Sequence, residues 1–215
     1  MSTAKKPVIF CDFDGTITNS DNIVAIMKHF KPVGYEPIMH QIVNGHMSIR
    51  EGVGAMFALM PSKLKEDVIS YVLGQAGIRQ GFARFLDFVR EQQIEFFVTS
   101  GGIDFFIDPL LEPFGIPQDH IFCNGADFSG AHIQITWPHR CEEPCKNDCG
   151  MCKTTVIRQY PPEQYERILI GDSLTDFEGA KIADLVYSRS HLTLKCQELG
   201  VPHVPLRHLT ILSRI

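Results

Sequence analysis

Val8-Ile9-Phe10-Cys11-Asp12-Phe13-Asp14-Gly15-Thr16 is the stretch on which the reading of this chain turns. Its first four residues are a short apolar run, partly β-branched, the pattern of a strand buried on both faces of a sheet. The run ends in two carboxylates two residues apart, then in Gly15, which permits a sharp change of direction. Carboxylates at the end of a buried strand are costly unless a cation compensates them. Two hard oxygen ligands this close suit Mg²⁺, which takes one or two carboxylates together with water and phosphate oxygens. A strand followed by an Asp-Gly turn is the plainer alternative, so the rest of the chain must supply partners for Asp12 and Asp14.

Working outward, two further stretches have the same form. Ile94 to Val98 predicts a buried strand running into Thr99-Ser100-Gly101-Gly102, where a hydroxyl and exposed backbone N–H groups suit a phosphate. Asp104 then begins a helix; an ordinary strand–turn–helix connection is the competing reading. Tyr165 to Ile170 predicts another strand, delivering Gly171-Asp172-Ser173-Leu174-Thr175-Asp176 at its end. Asp172 sits where that strand stops, and Asp176 falls four residues on, in the first turn of a helix. Both then face the crevice beyond the carboxyl ends of parallel strands, where α/β sheets bind ligands. Phe82 to Gln92 has helical spacing, and Leu185–Tyr187 and His203–Pro205 read as short strands, each followed by a helix.

Between Thr18 and about Gln80 the pattern is helical throughout. Asp21 or Ser20 can cap a helix carrying Ile23, Ile26, Met27 and Phe30 on one stripe. A second pattern runs through Pro37 and Ile42, a third opens at Ser48, and a fourth crosses Leu64, Val68, Tyr71 and Val72. Met27, Met39, Met47, Met56 and Met60 lie here, and with Phe57 they suit core packing or an apolar substrate tail equally. From His120 to Trp137 the loose alternation around Ser129-Gly130 predicts a β-hairpin. Then come Cys141, Cys145, Cys149 and Cys152, ending directly against Lys153 and a helix over Thr154–Tyr160. Four thiolates could hold one structural Zn²⁺, although the spacing is not that of two separated C-x2-C pairs; reduced thiols packing a loop are the alternative. Lys153 could serve as a fixed point charge beside a phosphate.

Composition excludes several classes. The chain has 215 residues, 44% hydrophobic and 21% charged, enough for a substantial core. Its net charge of −5 argues against nucleic acid or an anionic membrane as partner. Met1 to Lys6 lacks the apolar core of a signal peptide, so a cytoplasmic location is expected. Seven cysteines, an odd number, favour thiols or metal ligation over a disulfide framework.

Asp12-x-Asp14-x-Thr16, Ser100, Lys153 and Gly171-Asp172-x3-Asp176 together resemble the four ordered motifs of the haloacid dehalogenase (HAD) superfamily phosphatases. The resemblance covers the whole core. It implies an α/β fold, a HAD-like three-layer core with a parallel sheet over 1–17 and 81–215, and an inserted all-helical C1-type cap over 18–80. It also implies a Mg²⁺-dependent phosphomonoesterase acting on a small-molecule phosphate ester. Asp12 would be the nucleophile and Asp14 the general acid and base. The metal would be held by Asp12, the Asp14 carbonyl and Asp172, with Asp176 supporting its water shell or orienting Lys153. Thr16, Ser100 and the amide of Gly101 or Gly102 would hold the phosphoryl oxygens, and Lys153 would offset their charge. A phosphatase for phosphoserine, phosphocholine or phosphoethanolamine, with Asp21 and Arg50 holding a zwitterion, is one alternative. A non-catalytic zinc-binding interaction module is the other.

Overall fold

The structure, a computed structural model, describes residues 5–206 and 209. Its strands are β1 (Lys6–Cys11), β2 (Glu95–Ile103), β3 (Ile121–Asp127), β4 (Gln134–Thr136), β5 (Tyr165–Gly171), β6 (Leu185–Ser188) and β7 (Val204–Pro205). Its helices are α1 (Asn22–Phe30), α2 (Tyr35–Val43), α3 (Ile49–Ala58), α4 (Lys65–Gln75), α5 (Phe82–Glu91), α6 (Asp104–Leu111), α7 (Lys153–Ile157), α8 (Phe177–Ala180) and α9 (Ser190–Leu199).

The seven strands form one sheet in the order β4-β3-β2-β1-β5-β6-β7, parallel except for the antiparallel pair β3–β4. The β3–β4 pair is the expected hairpin. β1 is central because both of its faces are apolar: Ile9 and Cys11 enter one core, Val8 and Phe10 the other, and all four are fully buried. Helices α5 and α6 cover the first face with Phe82, Phe85, Phe106 and Leu110, while α7, α8 and α9 cover the second with Ile157, Phe177 and Leu192. Each such side chain contributes roughly 1.5–3 kcal/mol through its removal from water. The result is a three-layer α/β sandwich. The chain builds outward from β1 through β2 on one side, then crosses to β5 on the other, so a crevice opens at the carboxyl end of β1.

Residues 18–80 carry α1 to α4 and contribute no strand to the sheet. The Asp21 carboxylate caps α1 by accepting from Val24 N–H at 2.9 Å, and Ser48 with Glu51 forms a reciprocal capping box on α3. Met27, Met56, Met60 and Phe57 are buried in the core, so these side chains serve packing rather than an open pocket.

Two expectations need correction. Thr99-Ser100-Gly101-Gly102 is not a turn after β2: the strand continues to Ile103. Its pairing with β3 shifts register between Thr99 and Ile103, so the paired glycines mark a bulge rather than an end. The helix expected over Thr154–Tyr160 stops at Ile157, where Arg158 N–H closes onto the Thr154 carbonyl. The helix expected after His203–Pro205 falls outside the described residues, Leu209 apart.

Candidate active site

The end of β1 is fixed from β5. Asp12 N–H donates to the Ile170 carbonyl at 2.8 Å, and the chain then turns at Gly15 with φ of +79°. A Cβ at Gly15 would run into the Asp172 carboxylate, so only glycine lets this loop lie against the end of β5. Asp172 follows the last residue of β5 directly, and Asp176 falls in the turn leading into α8.

Sequence-distant carboxylates therefore converge. Asp12, Asp172 and Asp176 each bring an oxygen within 4.8 Å of the others. Lys153, 3% exposed at the start of α7, donates to Asp12 Oδ1 at 2.6 Å and also to Asp176 Oδ1. Asp176 Oδ2 accepts from the N–H groups of Asp172 and Ser173, at 3.1 and 2.9 Å, and from the Ser173 hydroxyl at 3.0 Å. Asp176 thus has both oxygens engaged and orients Lys153. Asp172 Oδ1, by contrast, is buried without a partner.

The charges do not balance within this group. Burial works against the Lys153 ammonium, yet Asp12 and Asp176 hold its pKa above the ordinary lysine value. Burial, then the Asp176 charge, pushes the Asp12 carboxyl well above the usual carboxylate range despite Lys153. The same two causes raise Asp172 to about 6. One ammonium among three carboxylates leaves excess negative charge, which a proton or a metal cation must compensate. The unpartnered Asp172 oxygen and the all-carboxylate donor set fit a hard divalent cation such as Mg²⁺.

Asp14 is not in this group. Its side chain turns to α1, where Oδ1 accepts from Asn22 N–H at 3.0 Å and from Asn22 Nδ2 at 2.6 Å. Burial, then the Asp21 charge, raises Asp14 to about 7, against the hydrogen bonds from Asn22. A Cβ on Gly102 would lie 2.7 Å from Asp14 Oδ2, so glycine admits the carboxylate against β2. Thr16 Oγ1 is buried without a partner, and Ser100, also buried, accepts from Gly102 N–H at 2.9 Å. A Cβ on Gly101 would meet nothing within 4 Å, so that residue faces open space.

Three positioning residues escaped the sequence reading. Arg79 donates from Nε to the Thr16 carbonyl at 2.8 Å and from Nη2 to those of Gly15 and Thr18, at 2.7 and 2.9 Å. Asn22 holds Asp14, and Asn124 Nδ2 donates to the Gly101 carbonyl at 2.8 Å. None belongs to a local motif; only the folded chain brings them in.

The profile of haloacid dehalogenase-like hydrolases matches residues 9–181, the span that contains every carboxylate of this group and Lys153. The chain belongs to the haloacid dehalogenase-like hydrolases. The family implies use of Mg²⁺, as the donor set does. This HAD hydrolase is 54% identical over 200 residues to the 2-hydroxy-3-keto-5-methylthiopentenyl-1-phosphate phosphatase of Brevibacillus brevis, covering 93% of this chain and 90% of that one. It is 48% identical to the protein of the same name from Geobacillus thermodenitrificans, covering 94% and 91%. Among solved structures, a phosphoserine phosphatase captured as a phospho-aspartyl intermediate analogue superposes with a TM-score of 0.69 at 18% identity, over 99% of this HAD hydrolase and 100% of that chain. At that identity the likeness concerns the fold. No helix among the described residues is long and apolar enough to cross a membrane.

Proposed function

We propose that this HAD hydrolase is a Mg²⁺-dependent phosphomonoesterase that dephosphorylates 2-hydroxy-3-keto-5-methylthiopentenyl-1-phosphate to 1,2-dihydroxy-3-keto-5-methylthiopentene in methionine salvage. The observation that carries the substrate is the 54% identity, over 93% of the chain, with a relative of that name. The Asp12–Lys153–Asp176 constellation carries the chemistry. Residues 18–80 are proposed as a cap domain and 1–17 with 81–215 as the catalytic core, a division supported by how the segment enters and leaves. Thr18 bridges Ile78, Asn19 N–H donates to the Gly77 carbonyl at 2.9 Å and Arg79 N–H to that of Ile17 at 2.8 Å. Both connections therefore lie side by side, as a hinge requires. A cytoplasmic location suits such a small-molecule substrate.

In the proposed reaction an Asp12 carboxylate oxygen attacks phosphorus and the bond to the ester oxygen breaks, leaving an aspartyl-phosphate. Asp14, with its pKa near 7, gives its proton to the departing oxygen. It then takes a proton from water, whose oxygen attacks the phosphoryl group and releases Asp12 and inorganic phosphate. Lys153 neutralises charge on Asp12 and the phosphoryl oxygens, and Thr16 Oγ1, Ser100 and the Gly101 amide receive those oxygens. Mg²⁺ held by Asp12, the Asp14 carbonyl and Asp172 would supply Lewis-acid charge compensation at the phosphate. Asp176 keeps Lys153 aimed.

The phosphoserine reading loses its two candidate residues. Arg50 is held by Asp148 at 2.6 Å, and the Asp21 carboxylate is engaged in capping α1. Nothing in the site favours that substrate class. A phosphate-release screen over small esters should give the highest kcat/KM with the methylthio enol phosphate, and chelation should abolish release until Mg²⁺ is restored. A clear preference for phosphoserine, or full activity in exhaustively chelated buffer, would overturn the corresponding part of the proposal.

Arg79 supplies a further test, since it holds the loop after Asp12 through three backbone carbonyls. Arg79→Met is expected to lower kcat by about 10–100-fold, as a displacement of about 1 Å in a catalytic group does. Stability should fall by about 1–3 kcal/mol for the unmade hydrogen bonds. Arg79→Lys should recover little, because an ammonium cannot span the fork. Steady-state kinetics and urea unfolding of both proteins check this.

A further inference from the structure

Residues 137–152 connect β4 to α7 without any helix or strand, a long irregular stretch for so compact a fold. It carries a sulfur cluster. Cys141, Cys145 and Cys152 place their sulfurs within 4.8 Å of one another, and Cys141 Sγ to Cys145 Sγ is 3.7 Å. A disulfide needs about 2.05 Å between sulfurs, and all seven cysteines are free. By contrast, four thiolates about 2.3 Å from a tetrahedral zinc stand about 3.8 Å apart, the spacing of the Cys141–Cys145 pair. Cys149 flanks the cluster on the same loop, its backbone N–H and its thiol both directed at the Cys141 sulfur.

The cluster stands between two connections that matter for the active site. On one side Cys152 directly precedes Lys153, and its N–H is anchored on the His139 carbonyl at 2.7 Å. On the other side the Cys145–Cys149 segment carries Asp148, which grips the start of α3. Asp148 Oδ1 accepts from Arg50 Nε at 2.6 Å, its Oδ2 accepts from the Ser48 hydroxyl at 2.7 Å, and its carbonyl accepts from Arg50 N–H at 3.2 Å. Gly150, with φ of +89°, turns the chain beneath Trp137, where a Cβ would strike the indole.

We infer that Cys141, Cys145, Cys149 and Cys152 bind one Zn²⁺ as thiolates, and that this structural metal fixes both Lys153 and the Asp148 clasp on α3. The zinc does no chemistry on substrate. It sets the path of a loop that otherwise has few internal hydrogen bonds, and the loop in turn ties the helical segment to the lysine that faces Asp12. Zinc suits the site because it is met by soft thiolates in a closed tetrahedron, unlike the carboxylate group that suits Mg²⁺.

Protein purified without added metal tests this independently of any activity. Elemental analysis is expected to find about one zinc per chain, and replacement by Co²⁺ should give the intense visible bands of a tetrahedral thiolate site. Cys145→Ser/Cys149→Ser should lose both signals. Its Mg²⁺ affinity should be retained, since Asp12 and Asp172 are untouched. Should that protein fail to fold, the parent can be stripped by a thiophilic chelator in excess Mg²⁺. Its thermal midpoint should then fall and return on adding zinc, with kcat falling more than KM changes. Zinc far below stoichiometric in folded parent protein, zinc content unchanged in the double variant, or weak octahedral Co²⁺ bands would each overturn the inference.

Discussion

Asp12→Asn protein is expected to fold like the parent and to release phosphate at a rate lower by a factor on the order of 10⁴ or more, the scale of losing a nucleophile. The amide keeps the size of the side chain and can still accept from Lys153, which reaches Oδ1 at 2.6 Å. It cannot form the aspartyl-phosphate. Stability should not suffer, because the change removes one of three clustered carboxylates at a site where burial and neighbouring charge already raise the pKa values of Asp12 and Asp172. In chelated buffer the thermal midpoint is expected to equal or exceed that of the parent. Phosphate release comparable to the parent would remove Asp12 from the nucleophile role.

Lys153→Met has the opposite signature, a large loss of both stability and rate. Methionine matches the stem of the lysine but leaves Asp12 and Asp176 facing each other across a site where both are almost wholly buried. Breaking a buried pair by removing one partner costs about 3–5 kcal/mol. The sign of the pH dependence follows from the raised carboxyl pKa values of Asp12 and Asp172. The folded state holds protons that the unfolded chain releases, so its stability falls as pH rises through the folded values. Without the ammonium those values rise further. The deficit of Lys153→Met should therefore be largest in alkaline chelated buffer, shrink in mild acid and shrink again when Mg²⁺ is added. The rate should fall by about 10²–10³, the usual cost of one charge-stabilising group. Chemical unfolding across pH, with and without Mg²⁺, checks this; a deficit that grew toward acid would contradict the role of Lys153 in compensating these carboxylates.

Much of the architecture was legible because it is written locally. Val8–Cys11, Ile94–Val98 and Tyr165–Ile170 each carry an apolar stretch with a carboxylate or paired glycines shortly after it, and they became the three central strands. The caps at Asp21 and Ser48 were equally local. The glycines at 101 and 102 misled because they score as breakers in isolation. In the fold, β3 supplies a neighbour that keeps the backbone extended through a bulge. The four-motif spacing brought Asp12, Asp172, Asp176 and Lys153 to one crevice, yet the spacing of Asp14 said nothing of its turning to Asn22. Long-range contacts outside those motifs had no local signal. Arg79 reaches back more than sixty residues to the loop after β1, and Arg50 meets an aspartate 98 residues on. Methionine spacing was ambiguous for a physical reason, since a stripe that packs a core and one that lines a pocket have the same period.

A phosphoryl group that passes through Asp12 can be trapped there. Asp14→Asn protein with Mg²⁺ and a phosphate ester whose leaving group needs no protonation can still form the intermediate but lacks the base that hydrolyses it. Acid quenching followed by mass spectrometry should find one phosphoryl group on the peptide carrying Asp12, and none when Asp12→Asn is added to the same chain. Turnover of that ester with no phosphorylated Asp12 peptide, or with the phosphoryl group on another residue, would contradict the account.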